Sequence, residues 1–149
     1  MMNRLENSFK KYLVRRLGSR WDVQSHEDKY SSGIADLSFG AKGVNGWIEL
    51  KIIASWNGDR PVKPSKYTRI QINWLNKRDR KGGRCFVMVK VARDYFLLPA
   101  GKAKMVRSGM NKQGYMTHCL DHWDDSVDPD QLIDQLTMEK NNERICRSC

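Results

Sequence analysis

Residues 84–91, RCFVMVKV, are apolar apart from Arg84 and Lys90. An apolar run of this length without polar alternation reads as a β-strand buried on both faces. Such a strand needs a layer above and below it, so the chain must supply amphipathic helices and further strands. Arg4 to about Leu17 carries an apolar stripe of Leu5, Phe9, Leu13 and Leu17, with Asn3 as cap and Gly18 as stop. A weakly patterned strand is expected over Trp21–Lys29, a second over Ile34–Phe39, and a third over Trp47–Ile53 after the glycine-rich GAKGVNG. Residues 54–66 hold two prolines and a glycine and read as a loop. A second helix is expected from Lys66 to Arg80, capped by Ser65, with Tyr67, Ile70, Trp74 and Leu75 inward and glycines 82–83 at its end. DYFLLP is a further short strand, residues 101–114 are basic and poorly patterned, and Asp128-Pro129 opens a last helix to about Glu143. The expected order is α-β-β-β-α-β-β, an irregular stretch, then α. This is an α/β fold with a central mixed sheet flanked by helices, in one domain over 1–149.

The chain has a net charge of +10. Residues 1–118 carry +15 and residues 119–149 carry −5. A basic body of this size points to a polyanionic partner, with nucleic acid first. No apolar run approaches the roughly 18 residues of a membrane span, and the N-terminus lacks the apolar core of a signal peptide. A cytoplasmic protein with its four cysteines reduced is expected.

The strand-like segments hold misplaced charges. In WIELK, alternation puts Trp47, Glu49 and Lys51 on one face and Ile48, Leu50 and Ile52 on the other. In GIADLSF, Asp36 shares a face with Ile34 and Ser38, opposite Ala35, Leu37 and Phe39. A hairpin centred near residues 42–43 sets residue 36 against 49 or 50, with Cβ atoms about 5 Å apart if directly paired. Two carboxylates so placed repel, and something positive should lie between them. Lys51 supplies part of that charge. Mg²⁺ would supply more, because it is held by one or two carboxylates with water and phosphate. The plain alternative is a solvated sheet face with a Glu–Lys pair.

Glu6 has two readings. Asn3-x-x-Glu6 fits a capping box, yet Glu6 also falls on the apolar stripe, where a carboxylate needs a partner such as Arg16. Gln71 sits in the inward arc of the second helix, between Ile70 and Leu75, where the plain reading is an amide bonded to backbone. The loop NGDRPVKPSK, the start of the second helix and the stretch GKAKMVRSGMNKQGY offer Lys63, Lys66, Arg69, Lys102, Lys104 and Arg107 as DNA contacts, with Trp56 or Tyr115 to stack on a base; ordinary solvated segments are the alternative. His26 is a further candidate contact, or an ordinary surface histidine. His118, Cys119, His122, Cys146 and Cys149 raise the question of zinc. The terminal C-x-x-C is only a half-site, and HCLDH lacks a usual pairing.

GIAD at 33–36, IELK at 48–51 and Gln71 in the following helix resemble the PD-(D/E)xK nuclease superfamily. Within it, the likeness is to VRR-NUC domains and archaeal-type Holliday-junction resolvases, over residues 4–91. Residues 100–149 would be a C-terminal extension. The resemblance implies a restriction-endonuclease-like αβββαβ core. It implies Asp36, Glu49 and the Leu50 backbone carbonyl as ligands of Mg²⁺ (Mn²⁺ as substitute), with Lys51 orienting or activating water. Glu6 would complete the metal site and Gln71 would support it. Ala35 stands where the family often has proline. The implied activity is metal-dependent endonuclease cleavage of DNA, structure-selective on branched or junction DNA, by a homodimer. A general or flap nuclease and a non-catalytic nucleic-acid-binding module are the competing readings.

Overall fold

The computed structural model describes residues 4–26 and 33–138. Asn3, Lys29, Cys146, Cys149 and the expected helix end at Glu143 lie outside these residues. Helix α1 spans Arg4–Leu17, as expected. Phe9, Leu13 and Leu17 recur every four residues and are buried, each contributing about 1.5–3 kcal/mol of apolar burial. Leu5 is 55% exposed, so the stripe starts to bury only at the second turn.

The strands are β1 (Asp22–Ser25), β2 (Leu37–Ala41), β3 (Val44–Ile53), β4 (Arg84–Val91), β5 (Asp94–Pro99) and β6 (Asp121–Asp124). They form one mixed sheet in the order β1-β2-β3-β4-β5-β6. Only β3 and β4 pair in parallel. A parallel pair needs a crossover, supplied by the loop after β3 and by helix α2 (Arg69–Arg80). Helices α3 (Ala103–Ser108) and α4 (Lys112–His118) follow β5, and α5 (Pro129–Thr137) follows β6.

The sheet separates two apolar cores. Helices α1 and α5 cover Leu37, Phe39, Ile48, Leu50, Phe86 and Met88 on one face. Helices α2, α3 and α4 cover Ile53, Val87, Val89, Phe96 and Leu98 on the other. Strand β4 contributes to both, which explains its unbroken apolar sequence. The hairpin between β2 and β3 turns at Lys42 and Gly43, with φ of 49° and 77°. Two left-handed residues match the twist of the flanking strands. This turn sets Leu37 against Ile48. At Gly46, a Cβ would lie 2.3 Å from the Arg84 carbonyl oxygen, so glycine lets β3 and β4 approach.

Four expectations need correction. Asp36 lies not within β2 but at a bend just before it. Alternation breaks there: Ala35 packs with the α2-side core, Leu37 and Phe39 with the α1-side core. Helix α2 starts at Arg69 rather than Lys66, and its cap is Thr68 rather than Ser65. Thr68 wins because Gln71 stands at the third helical position and closes a reciprocal capping box. The shift leaves Tyr67 buried but outside the helix, exposes Ile70 (56%) and buries Ile72 instead. Residues 101–114 are largely helical rather than irregular, and β6 adds a strand the sequence pattern did not reveal.

Candidate functional site

On β3, Trp47, Glu49, Lys51 and Ile53 point to the α2 side of the sheet. Glu49 and Lys51 are 2% and 3% exposed. The solvated sheet face is therefore excluded, and these charges are buried between sheet and helix layer. Asp36 reaches them across the hairpin. Where β2 leaves the ladder, its Oδ2 accepts the Leu50 N–H at 2.8 Å, in the place of a strand carbonyl. That charge-assisted bond fixes the carboxyl beside β3.

Lys51 is held from several sides. Its Nζ donates to the Lys66 carbonyl at 2.7 Å and to Gln71 Oε1 at 3.4 Å. It lies 3.7 Å from Glu49 Oε2 and 4.6 Å from the centre of the Tyr67 ring. The Gln71 amide is bonded to backbone, its Oε1 also accepting the Thr68 N–H at 3.0 Å, while its own N–H donates to Thr68 Oγ1. The capping box thereby aims the amide oxygen at Lys51.

Glu49 is the anomaly. Neither of its buried oxygens has a hydrogen-bond donor. The Asp36 carboxyl lies against it, and two ionised carboxyls cannot hydrogen-bond each other. Burial first, and then the Asp36 charge, push the Glu49 carboxyl well above its ordinary range, against the pull of Lys51. Glu6, half-buried in the first turn of α1, lies within electrostatic reach. Burial raises its carboxyl, Lys51 draws it down and Asp36 pushes it up, for a net rise. Arg16 is engaged elsewhere, donating from Nε to the Val127 carbonyl at 2.8 Å.

A buried carboxylate without donors beside a second carboxylate offers hard oxygens of the kind Mg²⁺ takes. Asp36, Glu49 and the Leu50 carbonyl are the residues that could hold it. Among the described residues no three His, Cys, Asp or Glu side chains form a metal-holding group. Glu6 therefore borders this set without making it a three-acid cluster, and the balance of the shell would fall to water or a ligand. His118, Cys119 and His122 likewise form no such group among the described residues, and the buried Cys119 thiol donates to the Met116 carbonyl at 3.5 Å.

The cations predicted to meet DNA are largely gathered. Arg69, Lys104 and Arg107 line a cavity of about 440 Å³ between α2 and α3. Val62 pairs with Met110, which brings Lys63 beside the turn from α3 to α4. Lys102 sits in the short 3-10 turn that enters α3. Arg107 Nε donates to the Tyr67 carbonyl at 2.9 Å, next to the Lys66 carbonyl that receives Lys51. One loop thus joins the basic groove to the buried charges. Tyr115 is fully buried and cannot stack on a base. Trp56 is tied by its Nε1 to Asp94 at 2.9 Å and packs on Phe96 and Tyr115. His26 bonds Ser38 at 2.8 Å beside Trp47.

Two features escaped the sequence reading. The apolar pattern puts Tyr67 on the inward face of the second helix, whereas the T-x-x-Q box at 68–71 places it in the loop before α2. Asp94, 6% exposed, accepts from Trp56 and meets His122 Nε2 at 2.7 Å and Lys112 at 3.4 Å. Burial raises its carboxyl, but bonds from His122 and Trp56 and the Lys112 charge outweigh it, for a net fall. This network pins the loop after β3 to the far strands.

No protein-family profile matches the chain. No curated protein matches by sequence. Among solved structures, Hjc, a Holliday junction resolvase from Archaeoglobus fulgidus, is similar with a TM-score of 0.53 at 14% identity. The match covers 78% of this chain and 92% of the resolvase. A bacterial homing endonuclease gives a TM-score of 0.45 at 14% identity, over 85% of this chain and 78% of its own. The chain carries an α/β fold similar to that resolvase and to restriction-endonuclease-like nucleases, built here on a six-stranded mixed sheet with five α-helices among the described residues.

Proposed function

We propose that the protein is a Mg²⁺-dependent endonuclease of DNA, selective for branched substrates of the four-way-junction kind, working in the cytoplasm as a homodimer. The observation that carries this reading is Glu49: a buried carboxylate with no donor, facing Asp36 and Lys51. Such an arrangement is costly to fold and has a use when a cation and a phosphate enter. The likeness in fold to a Holliday junction resolvase supports the choice of substrate. A dimer would offer two sites for paired nicks.

The chain's own groups divide the work. Asp36 is positioned by the Leu50 N–H on one oxygen, which leaves the other for a ligand. Glu49 offers both oxygens. Mg²⁺ bound there would offset charge on the scissile phosphate and acidify a water. Lys51, fixed by the Lys66 carbonyl, Gln71 and the Tyr67 ring, would add positive charge beside the nucleophile and the developing oxyanion. Lys63, Lys66, Arg69, Lys102, Lys104 and Arg107 would hold the phosphate backbone.

The test is cleavage of four-way junction, flap, linear duplex and single-stranded DNA, each with Mg²⁺ and with EDTA. Paired cuts on the junction, lost in EDTA, are expected. Equal cleavage of flap or linear DNA would replace junction selectivity with a general nuclease. Tight binding with no cleavage of any substrate would overturn the enzymatic reading.

A further inference from the structure

Tyr67 is the buried residue beside the site whose hydroxyl the proposed chemistry leaves without a role. It is 6% exposed, and its hydroxyl is buried without a hydrogen-bond partner. Its carbonyl is tied to Arg107, and its ring lies 4.6 Å from Lys51 Nζ. The same Lys51 Nζ lies 3.7 Å from Glu49 Oε2, so ring and carboxyl flank one ammonium. Three orphaned polar atoms therefore share one buried neighbourhood: Tyr67 Oη and the two oxygens of Glu49. The phenol is a donor, and both Glu49 oxygens are acceptors once that carboxyl is ionised. Buried groups of this kind are satisfied by ordered water or an ion. A phenol is a donor that stays protonated at neutral pH, so it can serve a water that also faces a carboxylate.

We infer that Tyr67 is a positioning residue of the hydrolytic site: its hydroxyl donates to the water held against Glu49, and its ring face fixes the ammonium of Lys51. The inference rests on the proposed nuclease activity and adds a donor to it. It also explains why Arg107 grips the Tyr67 carbonyl, since that bond sets the depth of the ring under Lys51. A DNA phosphate drawn to Arg107 would then press on the same loop that aligns Lys51.

The experiment compares the wild-type protein with Tyr67→Phe on junction DNA under single-turnover conditions, with melting temperature and Mn²⁺ affinity of the DNA-free protein measured alongside. Phenylalanine keeps the ring over Lys51 and removes only the hydroxyl. Loss of a supporting hydrogen bond around a metal site reduces activity or metal affinity by about 10–100-fold. The maximal rate or the Mn²⁺ affinity should fall at least tenfold, with DNA affinity little changed and the melting temperature close to wild type, because the hydroxyl has no protein partner to lose. Tyr67→Leu removes the ring as well and should lose further rate. A wild-type protein that cleaves, with a Phe variant matching it in rate and Mn²⁺ affinity, overturns the role of Tyr67 alone. A fall in melting temperature that parallels the loss of rate makes the hydroxyl structural and also overturns it. A wild-type protein that cleaves nothing overturns the proposed function instead.

Discussion

Glu49→Gln should stabilise the metal-free protein while removing its chemistry. Glu49 is 2% exposed and lacks donors on both oxygens. Its ion pair with Lys51, at 3.7 Å, is worth about 4 kcal/mol at an effective dielectric near 20. Against that stand a desolvation cost of several kcal/mol for a buried ion, roughly, and the repulsion of Asp36. The raised Glu49 carboxyl shows which side prevails. Glutamine keeps the shape and drops the charge, and Lys51 retains the Lys66 carbonyl, Gln71 and the Tyr67 ring. Each pH unit through which the folded chain keeps the Glu49 proton above its ordinary value costs the wild type about 1.4 kcal/mol, a cost the glutamine variant does not carry. For a chain of this size that is about 3–6 °C in melting temperature per pH unit.

The pH dependence follows from the direction of the shift. Above the ordinary value of 4.5 the unfolded chain releases the Glu49 proton while the folded chain keeps it. Stability of the wild type therefore falls as pH rises from that value through the raised folded one. Below it both states are protonated, and the variant and wild type should coincide. Calorimetry in EDTA from pH 4 to 8 should show a gap that opens with pH in favour of the glutamine variant. Added Mg²⁺ should stabilise the wild type and leave the variant nearly unmoved. A variant less stable than wild type at pH 8 in EDTA would refute the claim that Glu49 is a buried charge in want of a ligand.

Other outcomes follow from the same geometry. Lys51→Met should cut the single-turnover rate by about 100-fold or more while DNA binding, read by anisotropy, stays close to wild type. Replacing Arg69 and Lys104 by glutamine should weaken DNA binding and reduce the slope of log affinity against log salt by about 0.9 per lost duplex phosphate contact. Asp94→Ala should cost about 3 kcal/mol in urea unfolding, because it leaves His122, Trp56 and Lys112 without their shared acceptor. The lowered Asp94 carboxyl contributes stability above its ordinary value of 3.8, lost as pH falls through the folded one, so this variant should show a flatter acid limb.

The central hairpin was legible because strand alternation and a short symmetric turn leave little freedom. They assigned Glu49 and Lys51 to one face and set residue 36 opposite 49 or 50. The bend at Asp36 was not legible, since nothing in GIADLSF marks where strand pairing stops. The start of α2 was open to two hydroxyl caps three residues apart, and only the reciprocal bond of Gln71 distinguishes them. Helices α3 and α4 are short and polar, and their few buried residues (Ala103, Val106, Tyr115) give no periodic signal. Strand β6, DHWD, offers one buried residue, Trp123. These elements take their shape from the sheet they cover. The electrostatic tension at Glu49 was foreseen as two facing carboxylates. Its depth of burial and its lack of donors needed the three-dimensional structure.

The most direct test is single-turnover cleavage of a labelled four-way junction by the wild type and Glu49→Ala, with binding measured on the same DNA. Mg²⁺-dependent cleavage by the wild type is expected, with none detectable from the variant and an affinity equal to or tighter than wild type. Cleavage by Glu49→Ala at the wild-type rate would contradict the assignment of the site.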